Sequence, residues 1–98
     1  MILVITLLIR VFPAILSVGG SVWVTCKVPQ NAENRGLTMT IEGMRSHFIQ
    51  LEGDSAPITH QFLFKEVPCL GEDYIVASCT IHPSRQRMIQ YIPRIGCE

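Results

Sequence analysis

The sequence predicts an all-β protein, an antiparallel sandwich of six or seven strands. Apolar and polar residues alternate with a period of two in several short segments, of which 22–28 is the clearest. Glycine or proline separates these segments at intervals of roughly 8 to 12 residues, a spacing typical of sandwiches. No segment shows sustained helical periodicity, and the 98 residues suffice for one domain. We therefore expect no helix beyond residue 20 that exceeds two turns.

Six of the predicted strands follow residue 20. Pro29 ends the first, Gly43 the second and Pro93 the last, because proline and glycine interrupt regular strands. The predicted strands span residues 22–28, 37–42, 47–51, 58–67, 74–81 and 88–92. One set of alternate residues in each strand is expected to face the core. The predicted core residues are Val22, Val24, Val28, Leu37, Met39, Ile41, Phe62, Phe64, Tyr74 and Val76.

The four cysteines are Cys26, Cys69, Cys79 and Cys97. An even number in a short chain is typical of a disulfide framework, and four cysteines allow three pairings. Zinc ligands usually lie a few residues apart, whereas the gaps between these cysteines are long. We expect structural disulfides, with buried free thiols and a metal site as the alternatives.

Residues 1–19 admit two interpretations, an export signal or an additional strand. Residues 1–9 are almost all apolar, and Arg10 ends this run. A membrane-spanning helix needs about 20 apolar residues, so the run is too short to span a membrane. Its length suits a signal peptide although no basic residue precedes it, while its β-branched residues favour a strand. The even cysteine count favours export, and residues 20–98 are then the single folded domain.

Two segments resemble the core strands of an immunoglobulin-like sandwich. Residues 22–26 (Val-Trp-Val-Thr-Cys) resemble strand B, and residues 73–79 (Asp-Tyr-Ile-Val-Ala-Ser-Cys) resemble strand F. Immunoglobulin domains carry a tyrosine two residues before the second cysteine and a tryptophan on strand C. Here Tyr74 stands five residues before Cys79, and Trp23 lies on the strand of the first cysteine. The pattern is therefore more similar to fibronectin type III-like or other immunoglobulin-like variants.

The resemblance implies a disulfide pairing. Strands B and F lie in opposite sheets, so Cys26 would face Cys79 across the core. Cys69 precedes the penultimate predicted strand and Cys97 follows the last, and adjacent antiparallel strands would bring these two together. One conflict accompanies this pairing. If Val76 faces the core, strict alternation turns Cys79 outward unless a bulge lies between them.

A second resemblance, covering about residues 12–92, is to small uncharacterised exported proteins of bacteria and phages. The similar stretches are residues 28–29, 34–37, 50–54, 56–64, Pro68 and residues 71–74. Those proteins have no assigned activity. The resemblance therefore implies only a fold and an exported location.

The sequence contains no motif of a familiar catalytic centre. No serine lies in a G-x-S-x-G elbow, and no phosphate-binding glycine motif is present. Asp54, Glu72 and Asp73 are candidate calcium ligands, but acids in turns are more often solvated. We expect no catalytic residue, no metal and no cofactor. Eight basic and eight acidic residues give no global attraction to nucleic acid.

Four residues are candidate partner contacts: Trp23, Arg85, Arg87 and Tyr91. Trp23 alternates with the valines of its strand, so it is expected on the outer face, exposed there or covered by a neighbouring segment. Alternation places Arg85 and Arg87 on one face, where they could contact a phosphate or glycan. Alternatively, they are charges that prevent edge pairing. Tyr91 is the aromatic residue beside them.

The predicted function is a non-enzymatic interaction or structural module that binds a protein or glycan of unknown identity. We expect it to be secreted or displayed on a cell envelope or virion surface, with no membrane-spanning segment. Two alternatives stay open. One is a small hydrolase or metal-dependent enzyme on a β-sandwich, and the other is an accessory subunit that pairs strands with a partner protein. The sequence does not determine the oligomeric state.

Overall fold

The computed structural model describes residues 7–53, 58–69, 71 and 73–97, and in these ranges the chain is all-β. The all-β part of the predicted fold class is therefore confirmed. None of the described residues belongs to a helix of the length and apolarity that a membrane span requires. The strands are β1 (Leu8–Phe12), β2 (Leu16–Ser17), β3 (Val22–Lys27), β4 (Gly36–Ile41), β5 (His47–Gln50), β6 (Thr59–Phe64), β7 (Tyr74–His82) and β8 (Arg87–Ile95).

These strands form two sheets. One has three strands in the order β1-β3-β6, and the other has five in the order β2-β8-β7-β4-β5. Among the described pairs all are antiparallel except β2 with β8, where Leu16 pairs with Arg94 in parallel. The described strands number eight rather than six or seven, because residues 8–17 form both β1 and β2. Those two strands lie within residues 1–19, for which the sequence allowed either an export signal or an additional strand.

The core lies between the sheets and receives alternate residues from each. From the three-stranded sheet, β3 contributes Val22, Val24 and Cys26, all fully buried. Within the five-stranded sheet, β4 and β7 contribute most of the buried apolar residues. Seven of the ten predicted core residues are buried, namely Val22, Val24, Val28, Leu37, Met39, Ile41 and Phe64. Phe62 is only half-buried and packs against the edge of this core.

The face of β7 that points inward is the opposite of the one predicted. Tyr74 is 55% exposed, and Val76 is half-buried, whereas Ile75, Ala77 and Cys79 are buried. The register of β7 with β4 and β8 runs without interruption, so no bulge changes the alternation. With Cys79 inward, strict alternation turns Tyr74 and Val76 outward. The conflict noted in the sequence disappears because these two residues are not core residues.

Strand β8 continues through Pro93 to Ile95, although the predicted strand ended at the proline. Pro93 lies opposite Tyr74, and the next residue, Arg94, donates its backbone N–H to the Asp73 carbonyl at 2.8 Å. Hydrogen-bonded and non-hydrogen-bonded pairs alternate along an antiparallel ladder. A backbone N–H at position 93 would therefore point away from β7. The proline removes no bond to β7, so the strand continues through it.

Two disulfides join parts of the chain that are distant in sequence. Cys26 of β3 is bonded to Cys79 of β7, with a Cα–Cα distance of 6.2 Å, and this bond links the two sheets. Cys69 is bonded to Cys97, with a Cα–Cα distance of 5.5 Å, and links the β6–β7 connection to the residues after β8. These are the two pairs that the sequence predicts. Arg94 reinforces the second link, since its guanidinium donates to the Pro68 carbonyl at 2.9 Å.

Gly53, which follows β5, occupies a position that suits no other residue. Its φ is +62°, and its N–H donates to the Asn34 carbonyl at 3.1 Å. A Cβ at this position would lie 3.0 Å from the Ala32 carbonyl oxygen. Left-handed backbone and a close approach of another backbone segment together require glycine.

We expect Gly53→Ala to lower the free energy of unfolding by about 1–3 kcal/mol, because alanine strains the left-handed backbone and also crowds Ala32. Urea unfolding monitored by tryptophan fluorescence measures the change. Gly71→Ala is the control, since Gly71 has a φ of +81° with no atom within 4 Å of an added Cβ. The control should lose less stability, and equal losses would contradict the role of the Ala32 contact.

Candidate functional site: a groove beside Trp23

The four candidate contact residues do not lie on one surface. Trp23 points outward from the three-stranded sheet, while Arg87 and Tyr91 lie in β8, between β2 and β7 in the five-stranded sheet, and are exposed. Arg85 lies in the turn before β8, with a φ of +67°, so strand alternation does not place it on a face with Arg87. The structure therefore divides the candidate residues between two surfaces, with Trp23 on one and Arg87 and Tyr91 on the other.

Trp23 is the centre of an apolar row that crosses the three-stranded sheet. In register it lies between Phe12 of β1 and Leu63 of β6. Trp23 is 42% exposed and Phe12 is 71% exposed. Cross-strand neighbours on one face contact each other, so these residues make a continuous apolar strip on the outer surface.

A groove of about 700 Å³ begins at Trp23 and runs beside β6. Both faces of β6 line it, which places the groove along the edge of that strand rather than on one face. Its opposite wall is the turn from Met44 to Ser46, which connects β4 to β5. The lining residues are Trp23, Met44, Arg45, Ser46, His47, Gln61, Phe62, Leu63, Phe64 and Lys65.

Stacked rings line the groove where the two sheets meet. The His47 ring of β5 lies on the Phe62 ring of β6, with centroids 3.9 Å apart and planes inclined by 16°. Phe62 in turn meets Phe64 edge to face, with centroids 4.9 Å apart. Because Phe62 takes part in both contacts, it is held in one orientation while part of its surface stays open to the groove. This explains why Phe62, predicted as a core residue, is only half-buried.

The backbone of β6 directs hydrogen-bonding groups into the groove. The Val28 N–H donates to the Ile58 carbonyl at 2.7 Å, and the same register continues through Val24 and Phe62. Hydrogen-bonded pairs recur at every second residue, so the backbone groups of Gln61 and Leu63 point away from β3. Among the described strands, β3 is the one that pairs with β6.

The charge of the groove is positive. Arg45 on the turn and Lys65 at the end of β6 line it, and no acidic residue is among its described lining residues. Apolar rings beside two cations suit an apolar ligand that carries negative charge. Sequence reasoning found Trp23 but missed Arg45 and Lys65. These two cations lie 20 positions apart in the sequence, and only the fold brings them to one groove.

No cluster of three or more metal-binding side chains occurs in the described ranges. Of the acids considered as calcium ligands, Asp73 is exposed. Asp54 and Glu72 lie outside the described residues.

The outer face of the five-stranded sheet is a second exposed surface. Tyr74 and Tyr91 lie side by side at one end of it, with ring centroids 6.5 Å apart. Phe48 of β5 lies towards the other end, beside His82. Among these aromatic residues the sequence singled out only Tyr91 as a contact, and it placed Tyr74 in the core.

Comparison with protein-family models, with curated proteins and with solved structures gives no match for this chain.

Proposed function

We propose that this protein is a non-enzymatic, exported interaction module with an immunoglobulin-like sandwich. The strand order supports the immunoglobulin-like assignment. In variable-type immunoglobulin domains, the sheet of strands G, F and C is extended beyond strand C, and a disulfide joins strands B and F. The order β8-β7-β4-β5 and the bond from β3 to β7 correspond to that arrangement.

The disulfides support an exported location. Structural disulfides persist in oxidising compartments and are rare in the reducing cytosol. We also propose that residues 8–17 stay in the mature domain. Strand β1 pairs with β3 over five residues, and Leu16 of β2 is buried in the core. Removal of this segment would expose the core side of both sheets.

The function rests on one observation, the positively charged apolar groove along the outward edge of β6. We propose that its ligand is an extended peptide segment of a partner protein that carries acidic side chains. Such a segment can add to β6 as a further strand, with its backbone bonded to Gln61 and Leu63. Its apolar side chains would pack on Trp23 and Phe62. Its acidic side chains would pair with Arg45 and Lys65.

A random peptide library displayed on phage tests this function. The oxidised wild-type protein should enrich peptides that combine Asp or Glu with apolar residues. Trp23→Ala should weaken the binding of a synthetic peptide from this selection by at least about tenfold. Exposed tryptophans in binding sites often contribute about 2 kcal/mol or more to the binding free energy. Lys65→Glu should weaken peptide binding to a similar extent and make it less dependent on salt concentration. Isothermal titration calorimetry measures both effects.

Tyr91→Ala is the matched control, since Tyr91 lies on the opposite face, and this variant should bind the peptide as the wild type does. Peptides that bind Trp23→Ala with unchanged affinity would contradict the proposed site. Enrichment of peptides without acidic residues would contradict the proposed ligand chemistry. If the protein bound a glycan on a glycan array and this binding required Trp23, the ligand would be a glycan and not a peptide.

A further inference from the structure

We propose that the outer face of the five-stranded sheet binds a second copy of this chain and forms a symmetric dimer. This inference concerns the face opposite to the groove and does not depend on the peptide ligand. Phe48, Tyr74, Ile89 and Tyr91 all lie on this face, and their exposed fractions range from 43% to 59%. Exposed aromatic residues grouped on one sheet face are typical of interface centres.

The polar groups at the centre of this face already have partners. The hydroxyls of Thr40 and Ser78 share a hydrogen bond, and Ser78 is almost fully buried. Thr38 Oγ1 and His82 Nε2 share another, at 2.9 Å. Water can therefore leave these two pairs without stranding unsatisfied donors or acceptors. This lowers the cost of covering this part of the surface.

The aromatic residues on the face are held in place before binding. The Phe48 ring lies on the backbone of Gly36, where an added Cβ would be 2.5 Å from the ring. Tyr74 and Tyr91 meet edge to face, with their planes at 87°. Side chains that are already ordered lose little conformational entropy on association.

The two ends of the face carry opposite charges. Glu42 and Asp73 line a recess of about 490 Å³ together with Tyr74 and Tyr91. Arg87 is exposed on the same strand as Tyr91, four residues away, which corresponds to about 13 Å along β8. An acidic aromatic recess suits a guanidinium, through ion pairing and through contact with the tyrosine rings.

This arrangement is complementary to itself, which identifies the second copy as the partner. Ile89 stands midway between Arg87 and Tyr91 on the outward side of β8. A twofold axis that lies in the interface and runs across the strands near Ile89 places Arg87 of each copy at the Tyr91 end of the other. One symmetric contact thus occurs twice, as in isologous dimers.

The area of the face predicts a weak dimer. Strands β2, β8, β7, β4 and β5 contain 30 residues in all, and at about 3.3 Å along a strand and about 4.8 Å between strands they cover about 480 Å² per copy. Stable complexes usually bury about 800 Å² per partner. We therefore expect association in the micromolar to millimolar range rather than a permanent dimer.

Sedimentation velocity at protein concentrations from about 10 μM to 1 mM tests the dimer, because weak complexes form in this range. The wild type should shift from monomer to dimer as concentration rises. Arg87→Glu should weaken the dimer by at least about tenfold, because it introduces repulsion in both symmetric contacts. The double variant Glu42→Arg with Asp73→Arg should weaken it similarly. An equimolar mixture of these two proteins should associate again, since each contact then joins opposite charges.

Lys27→Glu makes the same charge change on the outer face of the three-stranded sheet, and this control should dimerise like the wild type. Near-ultraviolet circular dichroism of each variant checks that it is folded. A wild type that stays monomeric at 1 mM, or a mixture that does not associate, would overturn the proposal. Equal weakening by Lys27→Glu and Arg87→Glu would also overturn it. Loss of peptide binding in Trp23→Ala leaves the dimer intact, so the two proposals fail independently.

Discussion

Replacement of both Cys26 and Cys79 by alanine is expected to lower the free energy of unfolding by about 4 kcal/mol or more. The bond joins residues 53 positions apart. In the chain-entropy treatment, a disulfide that closes a loop of that length raises the free energy of the unfolded chain by about 4 kcal/mol. Both cysteines are also fully buried, so the shortened side chains leave a small cavity that adds to the loss. Small domains have total stabilities of about 5–15 kcal/mol, so this variant should be partly or wholly unfolded at 37 °C.

Urea unfolding at 25 °C measures this loss, and the double variant Cys69→Ala with Cys97→Ala is its matched control. The second bond closes a shorter loop of 28 positions, and Cys69 is exposed. The control should therefore lose only about 3.5 kcal/mol. A larger loss from the Cys69–Cys97 pair would contradict the importance assigned to the link between the sheets.

Phe64→Ala is expected to lower the free energy of unfolding by about 3–5 kcal/mol. Phe64 is 2% exposed and is among the largest side chains in the core. It pairs with Val22 across the three-stranded sheet and holds Phe62 through an edge-to-face contact. Truncation removes this packing, and the surrounding β-sheets cannot collapse fully into the vacated volume.

Phe62→Ala separates core packing from groove function. Since Phe62 is half-buried and stacks on His47, its truncation should cost clearly less stability than that of Phe64. This truncation should instead weaken the binding of a peptide in the groove. Thermal unfolding and calorimetric titration of the two variants give this comparison. Equal destabilisation by both truncations would mean that Phe62 acts as a full core residue, as its strand alternation first indicated.

The sequence pattern predicted the all-β class and most of the strands because most strands have a clear apolar side. In β3 and β4, valine, leucine, methionine and isoleucine alternate mainly with threonine and lysine. Only one face of such a strand can be buried without loss of solvation. The pattern therefore predicts both the strand and its orientation.

Strand β7 shows why alternation alone was insufficient. Tyr74 and Val76 on one face, and Ile75 and Ala77 on the other, are both apolar enough to enter a core. The tertiary structure selects the face of Cys79, because the bond to Cys26 needs both sulfurs between the sheets. Tyr74, which this choice turns outward, lies beside Tyr91 at one end of the proposed dimer face.

The sequence by itself determined most of the strands, the number of cysteines and the presence of an outward tryptophan, since these depend on local composition and on a period of two. Only the tertiary structure decided that Trp23 and Tyr91 lie on opposite faces and that Arg45 and Lys65 meet at one groove. The physical reason is that the sheet to which a strand belongs depends on which distant strand it pairs with. Local alternation specifies which side of a strand is buried, but the partners of that strand specify where its exposed side points.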